Sequence, residues 1–186
     1  MEKCVFLIDD GYLSFISKFL GKGKHIKFKI EKLALNISKR INLSCEEIYF
    51  YIAPPYQSPH PSEEENKRKA NYDKFISKLK GVKNPIINIR EGRCQKIEND
   101  FSQKGVDTLI TMDLLKIAQK NDIKNILLLT ADTDFVPIID DIRLNNNSKV
   151  ILLYFTDKRR KSPFSLSNHL WKSCDKKVLI RYDDFN

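Results

Sequence analysis

The sequence predicts an α/β fold: a three-layer sandwich with a mainly parallel central sheet covered by helices on both faces. Three observations predict it. Cys4–Ile8, Ile126–Thr130 and Val150–Phe155 are short runs dominated by Val, Ile, Leu and Phe, the composition of strands buried on both faces. A helical pattern follows each run. Strand and helix patterns also alternate along the whole chain, which calls for parallel strands joined by helical crossovers.

The elements follow in order. After the first strand, Tyr12, Phe15, Ile16 and Phe19 stand at helical spacing, predicting a helix over 12–20 with these residues toward the core. A second helix is expected at 30–41 and a strand at Ile48–Ala53. The proline-rich segment Ala53–Pro61 then reads as a loop. Ser62-Glu63-Glu64-Glu65 is a capping-box pattern opening a helix over 63–80, and its acidic first turn suits the helix dipole. Pro85–Ile89 predicts another strand, and the polar stretch Gly92 to Gly105 a loop or a β-excursion. Helices are expected at 107–120 and 135–145 around the central runs. In residues 156–186, Phe164, Leu166, Leu170 and Trp171 form an amphipathic stretch and Lys177–Ile180 a late edge strand. No repeat, low-complexity tract or linker interrupts the pattern, so residues 1–186 read as one domain, with 156–186 as a final helix and edge strand completing it.

Composition narrows the class. Of 186 residues, 41% are hydrophobic and 31% charged, which excludes a wholly disordered chain. No apolar run is long enough to span a bilayer, and the N-terminus reaches Asp9-Asp10 after five apolar residues, unlike a signal peptide. The expectation is a soluble cytoplasmic protein without a membrane partner. Four cysteines lack any C-x-x-C pair, which argues against structural zinc and for reduced thiols. The net charge is 33 − 24 = +9 and is uneven. Residues 18–40 hold eight Lys/Arg, Lys22, Lys24 and Lys27 among them, against Glu31 alone, and Lys158-Arg159-Arg160-Lys161 forms a second cluster. Such patches attract polyanions, although a Lys-rich soluble surface has the same look.

The carboxylates give the charge a meaning. In open parallel sheets, ligands bind beyond the carboxyl ends of the strands. Two of the most apolar strands end in acids there: Leu7-Ile8-Asp9-Asp10-Gly11 and Leu129-Thr130-Ala131-Asp132-Thr133-Asp134. Neighbouring strands would bring Asp9 and Asp132 within reach of one ion. Asp107 opens the helix after Lys104-Gly105. Asp113 lies on that helix's inward stripe with Val106, Ile110 and Ile117, where a carboxylate needs a partner or a metal. Grouped carboxylates repel one another, and a hard divalent cation, Mg²⁺ or Mn²⁺, removes that penalty. Acids joined to a basic surface suit phosphodiester chemistry on RNA. Each acid also has a local alternative: Asp132 or Asp134 as a helix N-cap, Asp9-Asp10 as an ordinary turn, and Asp107 as a favourable charge at a helix start.

These residues resemble the NYN domain of the PIN-like, Rossmannoid nuclease group, sometimes called LabA-like, over Cys4 to about Phe155. The most specific parts are Lys104-Gly105-Val106-Asp107 with Asp113, and Thr130-Ala131-Asp132-Thr133-Asp134-Phe135-Val136-Pro137; Tyr51–Tyr56 is less so. The resemblance implies a metal-dependent ribonuclease with Asp9, Asp107, Asp132 and Asp134 as catalytic, metal-binding acids. Asp113 matches a further family acid, and Asp10 stands as an additional ligand or turn residue. Thr130 stands where the family has Ser and keeps a hydroxyl near the metal. Two departures matter: Asp10 occupies the glycine and Tyr12 the asparagine of the family's D-G-x-N. Lys104, Lys22, Lys24, Lys27 and Lys158–Lys161 are the candidate RNA contacts.

Two other readings compete with the ribonuclease. One is a non-catalytic RNA-binding or regulatory module of the same fold, favoured by Tyr12. The other is a phosphatase using Asp9, which Gly11 weakens by standing where a second acid would be needed. The sequence is compatible with a homodimer and leaves the oligomeric state open.

Overall fold

The computed structural model describes residues 1–97, 100–120, 122–145, 147–157, 164 and 166–186. Its centre is a six-stranded sheet in which every neighbouring pair is parallel. In chain order the strands are β1 (Glu2–Asp9), β2 (Leu43–Ile52), β3 (Ile86–Glu91), β6 (Asn125–Leu129), β7 (Lys149–Tyr154) and β8 (Lys176–Leu179), with β4 (Arg93–Ile97) and β5 (Asp100–Lys104) forming a separate antiparallel hairpin. The helices are α1 (Asp10–Leu20), α2 (Ile30–Arg40), α3 (Glu63–Lys80), α4 (Val106–Ala118), α5 (Val136–Asn145) and α6 (Asn168–Ser173).

The spatial order is β3-β2-β1-β6-β7-β8. The chain first winds outward from β1 to β3, then crosses back and winds outward from β6 to β8. The side-chain alternation of β1 feeds both halves. Cys4, Phe6 and Ile8 belong to a core shared with α1, α2 and α3. Val5 and Leu7 belong to a second core with α4, α5 and α6. Every residue from Cys4 to Ile8 is therefore buried, which is why this strand reads as an unbroken apolar run.

Several elements differ from expectation at their edges. β2 begins at Leu43, five residues before the predicted start, because Leu43 and Cys45 are buried while their neighbours are polar. Its pairing with β1 shifts between Cys4↔Cys45 and Val5↔Glu47, leaving Glu46 as the extra residue of a bulge. The stretch from Gly92 to Gly105 resolves into the β4–β5 hairpin. Its geometry depends on glycine at both ends. A Cβ on Gly92 would meet Lys104 O and Val106 Cγ2, each at 2.7 Å, and Gly105 adopts φ +80° where the chain turns into α4.

The capping box of α3 forms as the sequence predicts: Glu65 N–H donates to Ser62 Oγ (3.2 Å) and Ser62 N–H to Glu65 Oε2 (2.8 Å). At the chain's end, Arg40 of α2 grips Asp184 through Nε (3.0 Å) and Nη2 (2.9 Å), fastening the terminal turn Tyr182–Phe185. No described helix is long and apolar enough to cross a membrane.

Candidate active site

The winding reverses between β1 and β6, and an open α/β sheet forms its crevice at that point. Ile8 pairs with Leu129, so both strands release the chain at the same level. What leaves them is acidic. Asp9 ends β1 and N-caps α1, its Oδ1 accepting from Gly11 N–H at 2.9 Å. Across the switch, Thr130 is completely buried and its Oγ1 accepts from Asp132 N–H at 3.1 Å. Asp132 Oδ1 in turn accepts from Asp134 N–H at 2.9 Å, capping the short 3₁₀ turn Thr133–Phe135. The turn and cap readings hold for Asp9 and Asp132, and each cap fixes one carboxylate at the top of the sheet.

Asp107 enters from a third element. It lies exposed in the first turn of α4, set there by the left-handed Gly105. The electrostatics tie the acids together. Asp9 is pushed up to about 6, first by burial and further by Asp107 and Asp132. Asp107 is raised by partial desolvation, although exposed, and then by Asp132 and Asp134. Asp10, the first residue of α1, is pushed up to about 7 by burial and then by Asp9.

An acid whose pKa is raised on folding holds its proton longer in the native state than in the unfolded chain. Stability from Asp9 and Asp10 is therefore fully present below about pH 4 and is lost as pH rises through about 6 and 7.

Other predicted residues have other places. Asp113 is not with the acids at the switch point. It is buried, and Arg90 of β3 donates to both its oxygens, Nε to Oδ2 at 2.7 Å and Nη2 to Oδ1 at 3.0 Å. The Tyr51 hydroxyl donates a third bond to Oδ2 at 3.1 Å. Of the two ways to satisfy an inward carboxylate, a protein partner or a metal, the structure supplies the protein partner. Sequence reasoning missed Arg90; the signal was one cation directly after the apolar residues of β3.

Tyr12 divides between two places: its backbone N–H favours the ionised Asp9 carboxylate, while its side chain points away. Its buried hydroxyl accepts from Phe155 N–H at 3.1 Å and lies 3.5 Å from Phe155 O, so it ties α1 to the end of β7. The Tyr12 side chain thus has a structural role, and what it contributes beside the acids comes from its backbone N–H. Tyr12→Phe should leave a buried N–H unpaired and cost about 1–3 kcal/mol. A urea titration should show a lower midpoint at unchanged m-value, and an unchanged midpoint would refute this role.

The candidate RNA contacts divide similarly. Lys22, Lys24 and Lys27 are exposed in the segment between α1 and α2. Lys104 is exposed at the end of β5. On the same hairpin Phe101 is 54% exposed, with Tyr56 at 5.7 Å and Lys96 Nζ 5.9 Å from its ring centre. Lys158, Arg159, Arg160 and Lys161 lie outside the described residues.

Among the described residues, no group of three or more His, Cys, Asp or Glu is set to hold a metal ion as the side chains stand. In donor chemistry the acids nonetheless fit a hard divalent cation: all are carboxylates, and their charges oppose one another.

A family model describing the NYN domain matches residues 6–180. Among curated proteins no relative matches this chain. A solved structure of a protein of unknown function from Vibrio parahaemolyticus is similar in fold, with a TM-score of 0.61 at 20% identity; the match covers 99% of this chain and 95% of that one. Cystalysin from Treponema denticola, containing a pyridoxal 5′-phosphate cofactor, aligns over 92% of this chain and 42% of its own at 12% identity. Its TM-score is 0.37.

Proposed function

Because this chain belongs to the NYN domain family, a PIN-like nuclease fold generally linked to ribonuclease activity, we propose that it hydrolyses RNA phosphodiester bonds with Mg²⁺ or Mn²⁺. The supporting observation is that acids from three elements lie near enough at the switch point of the sheet for Asp107 and Asp132 to raise the pKa of Asp9, and for Asp132 and Asp134 to raise that of Asp107.

Asp9, Asp107, Asp132 and Asp134 would hold the ion, with the capping bonds to Gly11 and Asp134 N–H orienting Asp9 and Asp132. The buried Thr130 hydroxyl fixes the turn that presents Asp132. A divalent cation so held supplies an activated water and offsets charge on a phosphoryl oxygen. The exposed lysines between α1 and α2 attract the RNA backbone, and Phe101 with Tyr56 and Lys96 offers a stacking surface for an unpaired base.

One observation favours a second reading, an RNA-binding module without turnover: the acids do not form a ready ligand group as they stand. A labelled mixed-sequence RNA incubated with the protein in Mn²⁺, Mg²⁺ or EDTA separates the two. Cutting in either metal and none in EDTA is expected. Tight RNA binding with no cutting in any condition would sink the ribonuclease reading and leave the binding module.

A further inference from the structure

Beside the acids lies a groove that cleavage alone does not require. It encloses about 280 Å³ between α1, α3 and the segment 25–30. One face of α1, formed by Asp10, Leu13, Ser14 and Ser17, makes its floor. Phe28 and Phe75 stand among its walls. Each ring also packs against an edge-on aromatic partner, Phe185 at 4.9 Å for Phe28 and Phe50 at 5.9 Å for Phe75. These contacts restrict the rings that line the groove. His25 and Lys27 add polar and basic groups to the lining, and the exposed Lys22 and Lys24 lie just before this segment in the α1–α2 connection.

Asp10 supplies the direction. It makes no hydrogen bond or ion pair among the described residues, yet it contributes to the lining of this groove. Because it follows Asp9 directly, its end of the groove adjoins the proposed reaction centre. A flat, partly polar occupant with N–H groups on one edge and a phosphate near Lys27 fits these features.

Among nucleobases, guanine presents two adjacent N–H donors, N1 and N2, which match the two oxygens of a carboxylate. Uracil presents a single N–H between two carbonyl oxygens that would repel Asp10. We infer that this groove receives a guanine base of the RNA next to the scissile phosphate, with Asp10 reading its Watson–Crick edge and Phe28 and Phe75 packing on its ring. The inference rests on the ribonuclease reading and adds base preference to it.

The test is binding without turnover. The full chain, ¹⁵N-labelled and in EDTA, is titrated with 5′-GMP, AMP, CMP and UMP, following the amides of Leu13, Ser14 and Ile26. GMP should bind about tenfold tighter than UMP or better, as a bidentate contact would give. Asp10→Asn should erase most of that preference. Ser14→Trp, which fills the groove from α1 and leaves Asp10 in place, should abolish GMP shifts at these amides. Equal binding of GMP and UMP, or a preference untouched by both variants, would overturn the inference. Guanine-selective binding by a protein that never cuts RNA supports the groove and removes the ribonuclease reading. RNA cutting without guanine-selective binding does the reverse.

Discussion

Asp9→Asn/Asp132→Asn is expected to lose metal-dependent RNA cutting by about 10³-fold while gaining stability in the absence of metal. The first effect follows from removing two carboxylates from the proposed cation site; a bound cation contributes several kcal/mol at the transition state, and each 1.4 kcal/mol is tenfold in rate. The second follows from the raised pKa of Asp9. At pH 7.5 the folded wild type keeps that carboxylate ionised in a half-buried place beside Asp107 and Asp132, whereas an amide carries no charge there. Asparagine also retains the side-chain oxygen that accepts from Gly11 N–H, so the cap of α1 survives. Thermal melts in EDTA should place the variant above wild type at pH 7.5, with the gap closing toward pH 5 as Asp9 takes up its proton. Adding Mn²⁺ at pH 7.5 should stabilise wild type and leave the variant unmoved. A variant that cuts at the wild-type rate would remove the metal site from the switch point. One that melts lower in EDTA would show that these acids hold the fold rather than strain it.

That opposition of function and stability explains what was legible in the sequence and what was not. The acids at Asp9 and Asp132 could be read because they interrupt strongly apolar runs, and the sheet's winding order then brings the two run-ends together. The helix α3 was equally plain from its capping box. Long-range partners were hidden. Nothing in Tyr12 itself says that its hydroxyl will meet the backbone of Phe155, 143 positions away, although its helical spacing correctly placed the ring in the core. Asp113 marks the boundary most clearly: periodicity showed a buried carboxylate in need of a partner, and topology alone supplied Arg90. The early start of β2 was missed because Glu46 and Glu47 break the apolar run, and the bulge that accommodates them is a property of the pairing with β1.

The second large effect lies at that pair. Arg90→Met should destabilise the protein by about 3 kcal/mol, since removing one partner of a buried ion pair leaves an uncompensated charge. Asp113 is 4% exposed and would keep only the Tyr51 hydroxyl as a donor. The Arg90 side chain is 32% exposed, so some water reaches the pair and the loss falls at the lower end of what a fully buried pair would show. The triple variant Tyr51→Phe/Arg90→Met/Asp113→Leu removes every polar member at once and should recover most of the lost stability, because an apolar replacement leaves nothing buried and unpaired. Urea titrations of wild type, single and triple variants measure this directly. The same triple variant separates structure from chemistry. If Asp113 only answers Arg90, RNA cutting survives the triple change within a few-fold; if Asp113 also served the cation, cutting would collapse even as stability returned. Arg90→Met within about 0.5 kcal/mol of wild type would show instead that water, not Arg90, neutralises the carboxylate.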